Sequence, residues 1–534
     1  MNPLFSILEA FLLTHIVVLP VAIGLAVAPI MLLLRNRPKT QKIIAILTSV
    51  LTLIFAIILF WVVYHNGIQV YDVGEFGKFG IVFVSDMLSA LLVLLAAFIG
   101  LLVLIYSFDY IERVSLTESF YPLFFLQMTG LFGIFLTGDL FNLFVFFEIM
   151  FLSSAGLIMA NEALSTSDSA QKLEATYKYM ALNMLSSFML LIAIAMIYTT
   201  VGSLNMADIA AKIMVITEGG PTPWALIASA LLFIVVFGTK AALFPLHFWL
   251  PDVHPTAPTP ISAMLSGVLI KVGAYCILRV QFLILAPTKE FFLPILMFFA
   301  LLTISVGAIS AMGQTDIKRV LAYSSVSQIG YVLLGLSFGT VGAIAAAIVF
   351  MVNHAIAKAM LFLAAGGIIH EMHSRDLRKM GGLITVIPFF SMAFLIGAMS
   401  IAGIPLTGGF IAKFALFQSA VTGEFWLPLL IAVVMAILTI FYMFKTWIAV
   451  FWGENKGCLK EVEACAADVP IPSDGGKKKH KLSFEIAFPI VALGAVVIIL
   501  GLFPEQLSGV SHTIAMQILD PTEYIEAVLG GAPR

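Results

Sequence analysis

The chain has 534 residues and a formal net charge of −2, with 61% hydrophobic and only 11% charged residues and a mean hydropathy of +1.08. A soluble protein carries about 25% charged residues, so a soluble enzyme and a nucleic-acid-binding module are excluded, and a polytopic membrane protein in contact with lipid is indicated. Cys276, Cys458 and Cys465 form no CxxC pair, and there is no Gly-rich nucleotide loop or HExxH. No disulfide frame, cofactor or metal site is therefore expected. The opening MNPLFSILEAF lacks the basic n-region of a cleaved signal peptide.

A membrane-crossing helix needs roughly 20 apolar residues, and that ruler predicts an all-α chain of about 14 spans. They lie near 12–34, 42–64, 86–108, 120–138, 140–160, 177–200, 224–250, 260–282, 291–311, 319–338, 343–367, 385–420, 427–451 and 484–503. Two spans should be broken. The seventh contains Pro245, and the overlong twelfth carries GIPLTGG, Gly403 to Gly409. The polar stretch 453–481, with its KKKHK run, reads as a cytoplasmic linker before the last span.

With the N-terminus outside, 17 basic residues fall on cytoplasmic loops and four on the opposite side. That bias predicts both termini on the outer side of the cell membrane. Seven basic residues remain: Lys178, Lys240, Lys271, Arg279, Lys358, Lys413 and Lys445. Lys178 and Arg279 sit near span ends and should snorkel to the interface, and Lys445 reads the same way with a pathway role as the alternative. Lys240, Lys271, Lys358 and Lys413 are too deep for snorkelling. Glu148 is the one acid near the middle of a span, whereas Asp86 and Glu485 open spans as boundary residues.

Charges at bilayer depth are costly and mark ion or proton routes. Desolvation can bring an amine into the range where it exchanges protons near neutral pH. Glu148 is the expected partner of Lys240, in a movable pair that holds the proton when closed and releases it when apart; the alternative is a static bridge that fixes packing. Lys271 would take the proton next. His354 and Lys358, at i and i+4, share a helix face and extend the relay. His247 belongs to the route or its mouth; a metal reading of His247, Asp252 and His254 fails because the intervening prolines break any ligand face. Ser262, Ser266, Thr239, Tyr323, Ser324, Ser325, Ser327 and Gln328 can hold bridging water or serve ordinary helix packing. Lys413 follows the GIPLTGG break as Lys240 precedes Pro245, a weak internal symmetry of the kind that marks inverted repeats in transporters.

Lys240 with FPLHFWLPDVHPTAPTPISAMLSGVLIKVGAY, DIKRVLAYSSVSQIGYVLLGL, NHAIAKAMLFL and GIPLTGGFIAKF together resemble one family. It is the family of antiporter-like subunits of respiratory complex I, membrane-bound hydrogenases and Mrp-type cation/proton antiporters. TGDLFNLFVFFEIM and ILDPTEYIEAVLG are most similar to the D branch of its Mrp members. The resemblance implies N-terminal helices in 1–119, an inverted five-helix repeat in 120–282, a second in 283–452, a linker in 453–483 and a last helix with its tail in 484–534. It also implies pathway roles for Glu148, Lys240, Lys271 and Lys413, and for His354 with Lys358.

The function expected is a proton-translocating subunit of a multisubunit Na⁺/H⁺ antiporter. It would be a secondary transporter subunit rather than an enzyme, partnered by other membrane subunits that include a paralogous antiporter-like one. It shows no acid cluster suited to Na⁺, so sodium should cross elsewhere in the complex. Rival readings are the same module driven by a redox enzyme and a non-transporting membrane scaffold.

Overall fold

The computed structural model describes residues 14–74, 80–114, 119–160, 166–218, 220–453 and 482–530. The expected linker 453–481, Cys458 and Cys465 therefore fall almost wholly outside the described residues. The chain opens with α1 (Leu19–Leu33) and α2 (Pro38–Asn66), each started by proline in its first turn, where a missing N–H is harmless. A two-stranded antiparallel hairpin follows, β1 (Gln69–Val73) on β2 (Ile81–Ser85). This corrects the all-α expectation. The alternation in IQVYDV and the β-branched run IVFVS, on either side of glycines, are strand signals that a span-sized window passes over.

Next come α3 (Met87–Val114), α4 (Phe120–Leu136), α5 (Leu140–Met159) and α6 (Thr166–Val201). The last of these runs 36 residues, well beyond the predicted 177–200. Asp139 caps α5 by accepting from the Asn142 N–H, and Asn205 caps the short surface helix α7 (Met206–Thr217). The seventh span is broken as expected. It forms α8 (Trp224–Lys240), a turn with a cis Phe244–Pro245 bond, and α9 (Trp249–Thr256).

α10 (Thr259–Ile284) is one continuous helix with two π-helical stretches, Leu265–Leu269 and Ile277–Ile284. α11 (Lys289–Gly313), α12 (Ile317–Ser337) and α13 (Val341–Met372) follow. The twelfth span divides into α14 (Pro388–Ala402) and α15 (Gly408–Thr422). Gly403, at φ +80°, ends α14 in the left-handed conformation that glycine adopts without strain. Gly409 is required by contact: a Cβ there would lie 1.8 Å from the Ser400 carbonyl oxygen. α16 (Trp426–Phe451), α17 (Phe484–Leu502), α18 (Pro504–Leu519) and α19 (Thr522–Leu529) complete the chain.

Ten described helices are long and apolar enough to cross a membrane, and four shorter ones of 10–17 residues are apolar. The chain is a polytopic helical membrane protein. α10 and α13 are wholly interior over their apolar windows and α12 nearly so, whereas α2, α16 and α17 expose most of theirs. Lys271 on α10 and Lys358 on α13 therefore sit on helices shielded from lipid. One end of the bundle carries the hairpin, α7 and α19; the opposite end carries Lys178, Asp252, Lys318, Arg319, Arg375 and Arg378. At that basic end Asp316 and Asp376 form an isolated bridge, and hydrogen bonds from Arg378 hold Asp376 down at about 2. Lys178, expected to snorkel, is tied there at 2.8 Å to Glu174 and 2.9 Å to Asp252.

Candidate functional site

The site grows from the two helix breaks. Trp249 donates its indole N–H to the Thr239 carbonyl at 3.0 Å, and the Phe244 N–H reaches Thr303 Oγ1 at 2.9 Å, so the α8 break has partners for its exposed backbone. Lys240 closes α8, 5% exposed, and its Nζ has no hydrogen-bond partner. Two aromatic faces surround it instead, Phe147 and Phe151, each with its ring centroid 5.3 Å from Nζ.

Those rings are i and i+4 on α5, and Glu148 points about 100° away around the same helix. It is half-buried and accepts a short hydrogen bond from Ser187 on α6. Glu148 and Lys240 interact electrostatically, but no ion pair within 4.0 Å joins them. The expected pair is thus apart in this structure, with phenylalanine between the helices where a carboxylate was anticipated.

A row of polar contacts runs from Lys271 to Lys358. The Lys271 ammonium donates to the Ser266 carbonyl. Ser266 Oγ lies 2.7 Å from Ser325 Oγ, Ser325 Oγ donates to the Leu321 carbonyl at 2.9 Å, and Lys358 Nζ donates to that same carbonyl at 3.0 Å. The π-helical stretch at Leu265–Leu269 accompanies the Ser266 carbonyl contact. His354 is fully buried one turn from Lys358, with neither ring nitrogen partnered, and it feels the charges of Lys271, Lys358 and Lys413.

Lys413 extends the set into the second break. It donates to the Ile401 and Ala402 carbonyls at 2.9 and 3.1 Å, where α14 ends, and lies 5.2 Å from the centre of the Tyr331 ring. A cation at a helix C-terminus meets orphan carbonyls and the negative end of the dipole together. Lys413 is therefore tied where Lys240 is free. Gln328 is buried beside Tyr442, and Tyr442 bonds Ser324 at 3.0 Å.

The remaining candidates divide. His247 is buried with Nδ1 unpartnered, packed between Phe244 and Phe248. Lys445 is exposed and donates to the Met312 carbonyl at 2.8 Å, so it lies off the buried set. Among the described residues no group of three or more His, Cys, Asp or Glu is arranged to hold a metal ion.

Residues 137–439, more than half of the chain and all the deep charges above, match the family described as NADH:quinone oxidoreductase/Mrp antiporter, transmembrane. The chain belongs to this family. It is 37% identical to the D subunit of the Na⁺/H⁺ antiporter of Alkalihalophilus pseudofirmus over 97% of this chain and 100% of that one. Among solved structures it is similar to a chain of the Mrp complex from Dietzia sp. DQ12-45-1b, at 29% identity and a TM-score of 0.86 over 97% of this chain and 100% of that one. It is also similar to a chain of the archaeal membrane-bound sulfane sulfur reductase, at 26% identity and a TM-score of 0.83 over 96% and 100%.

Within this antiporter-family chain, three buried groups carry more than their positions in the sequence suggest. Arg279 does not snorkel: it is 5% exposed and grips both oxygens of Asp86 at 2.7 and 2.8 Å. Asp86 opens one span and Arg279 closes another, 193 residues apart, so no local sequence signal joins them. Lys318, expected on a loop, is buried and donates to the Ala257 carbonyl at 3.0 Å. His254 is fully buried, stacked on Phe362 at 4.5 Å with both ring nitrogens unpartnered, and feels Lys318, Lys358 and Lys271.

Proposed function

We propose that this chain is the D-type, proton-carrying subunit of a multisubunit Na⁺/H⁺ antiporter. The observation that carries the reading is the row Lys240, Lys271, Lys358 and Lys413, four amines buried at the two helix breaks and on interior helices. The full-length similarity to the D subunit of a named Na⁺/H⁺ antiporter supports the choice of complex.

The ten long and four shorter apolar helices correspond to 14 spans, with α4–α10 and α11–α16 as two inverted repeats. The basic residues at the Lys318–Arg378 end support a reading in which that end is cytoplasmic and both termini lie outside the cell membrane. A proton reaches Lys240 or Lys271, crosses Ser266 and Ser325 to Lys358 and His354, and leaves past Lys413. Carbonyls accept but do not pass protons, so water completes each gap between hydroxyl and amine. Glu148 swings between Ser187 and Lys240: its approach favours the ammonium and its withdrawal releases the proton. It couples the route to a neighbouring, paralogous subunit, and sodium crosses elsewhere in the complex.

The test is antiport in everted membrane vesicles carrying the whole complex. Lys240→Ala and Glu148→Ala should each abolish Na⁺-driven proton movement while the complex still assembles. Full activity in either variant refutes the route. The likeness to the sulfane sulfur reductase chain favours a second reading, the same relay driven by a redox enzyme. Iron–sulfur subunits copurifying with this chain would select it.

A further inference from the structure

The two helix breaks hold their lysines by different means. At the second, Lys413 takes the Ile401 and Ala402 carbonyls that α14 leaves open. At the first, the carbonyls are already taken. Phe237 and Gly238, at the end of α8, accept the Ala241 and Leu243 N–H groups at 2.8 Å each. Thr239 accepts the Ala242 N–H at 3.2 Å and the Trp249 indole N–H at 3.0 Å. Lys240 is left without a bonded oxygen and faces two rings instead.

The rings are held in place from behind. Phe147 and Phe151 are 0% and 3% exposed. Phe147 stacks on Phe237 at 6.2 Å, and Phe237 on Phe233 at 5.3 Å. Phe151 meets Tyr179 of α6 at 5.5 Å, and Tyr179 meets Trp249 at 5.2 Å. Trp249 thus seals the Thr239 carbonyl and backs the aromatic stack with one side chain. Four elements, α5, α6, α8 and α9, build an aromatic seat around one amine.

An ammonium is drawn to the face of an aromatic ring, most strongly where water is excluded. Leucine at either position would fill space and attract nothing. The attraction is spread over the whole face, so the amine can leave it for a carboxylate without breaking a hydrogen bond. Of the groups facing Lys240, Glu148 of α5 and the Cys276 thiol of α10 act on it electrostatically. Tyr179 of α6 stands behind Phe151, and α11 meets the break with Thr303, whose hydroxyl the Phe244 N–H takes. Glu148 itself is engaged by Ser187.

We propose that Phe147 and Phe151 are the second partner of Lys240, an aromatic seat that holds its ammonium while Glu148 is bonded to Ser187. The amine then alternates between rings and carboxylate, and the rings set how readily its proton leaves. The consequence for transport rests on the function proposed above. The attraction between amine and rings does not.

The test replaces Phe147, Phe151 or both by 3,4,5-trifluorophenylalanine, through amber-codon suppression, in the whole complex. Fluorine drains the negative face of the ring and keeps its shape. The rings favour the ammonium, so weakening them moves proton release to lower pH. The half-maximal point of antiport against pH, in everted vesicles, should fall by about half to one unit per ring, roughly a three- to tenfold change in proton concentration. An unmoved profile in the double variant, or loss of antiport at every pH, overturns the proposal. A second readout needs no transport. At pH 6 the purified complex with both rings fluorinated should unfold about one degree below the parent, whereas the same fluorination in a Lys240→Met background should leave the midpoint unchanged. Equal changes in the two backgrounds overturn the seat. Coupling between rings and lysine in a parent complex that shows no antiport would uphold the seat and sink the transport reading.

Discussion

Replacing Lys240 by methionine separates a working charge from a structural one. The Lys240 ammonium is 5% exposed and has no hydrogen bond, ion pair or carbonyl contact. Its compensation is two phenylalanine faces at 5.3 Å, each worth about 2 kcal/mol when desolvated. Against these stands an effective penalty of several kcal/mol for an ion held out of water. Methionine fills a similar volume, keeps the contact with Phe147 and Phe151, and removes that penalty. Exchanging buried ionic groups for packed apolar ones is neutral or stabilising by about 1–4 kcal/mol in other systems, and the lower half of that range is expected here. The thermal unfolding midpoint of the purified complex should therefore hold or rise by a few degrees, while Na⁺-driven dequenching of a ΔpH dye in everted vesicles disappears. Loss of about 2 kcal/mol or more would show that Lys240 holds the fold together. Retention of half the native antiport would show that protons pass without it.

Lys413→Met should behave oppositely in stability: it strips two charge-assisted bonds from the end of α14, at about 1.5–3 kcal/mol each, so the midpoint falls along with antiport. Ser325→Ala removes the hydroxyl between Ser266 and the Leu321 carbonyl; antiport should slow about tenfold with stability changed by about 1 kcal/mol or less, and stopped-flow pH decay in proteoliposomes measures it. Asp86→Asn or Arg279→Gln alone should destabilise by about 3–5 kcal/mol, whereas the double variant loses less than the sum, a coupling read from thermal unfolding of all four proteins. Gly409→Ala drives a methyl against the Ser400 carbonyl and should cost several kcal/mol, seen as loss of the chain from the membrane fraction.

What the sequence made legible was local chemistry. Pro245 and GIPLTGG break their helices for reasons carried within a few residues, and both breaks fall where expected. The deep lysines are recognisable because nothing else in an apolar run explains an amine. Rotation around a helix is harder to read: Glu148 lies at the right depth, yet Phe147 and Phe151 take the face toward Lys240 and leave the carboxylate to Ser187. Pairings between distant segments are out of reach. Arg279 reads as an interface residue because its partner, Asp86, opens a different span.

The two π-helical stretches of α10 enclose an ordinary helical segment, Ile270–Cys276, that carries Lys271. Each stretch stores one surplus residue in the winding of the helix. Moving that surplus along by one position turns the residues it passes by about 100° and exchanges one backbone partner for the next. Mechanically, Lys271 is mounted on a swivel whose bearings are made of main chain. Passing a surplus residue across Lys271 would turn its amine by that angle without a shift of the helix along its axis.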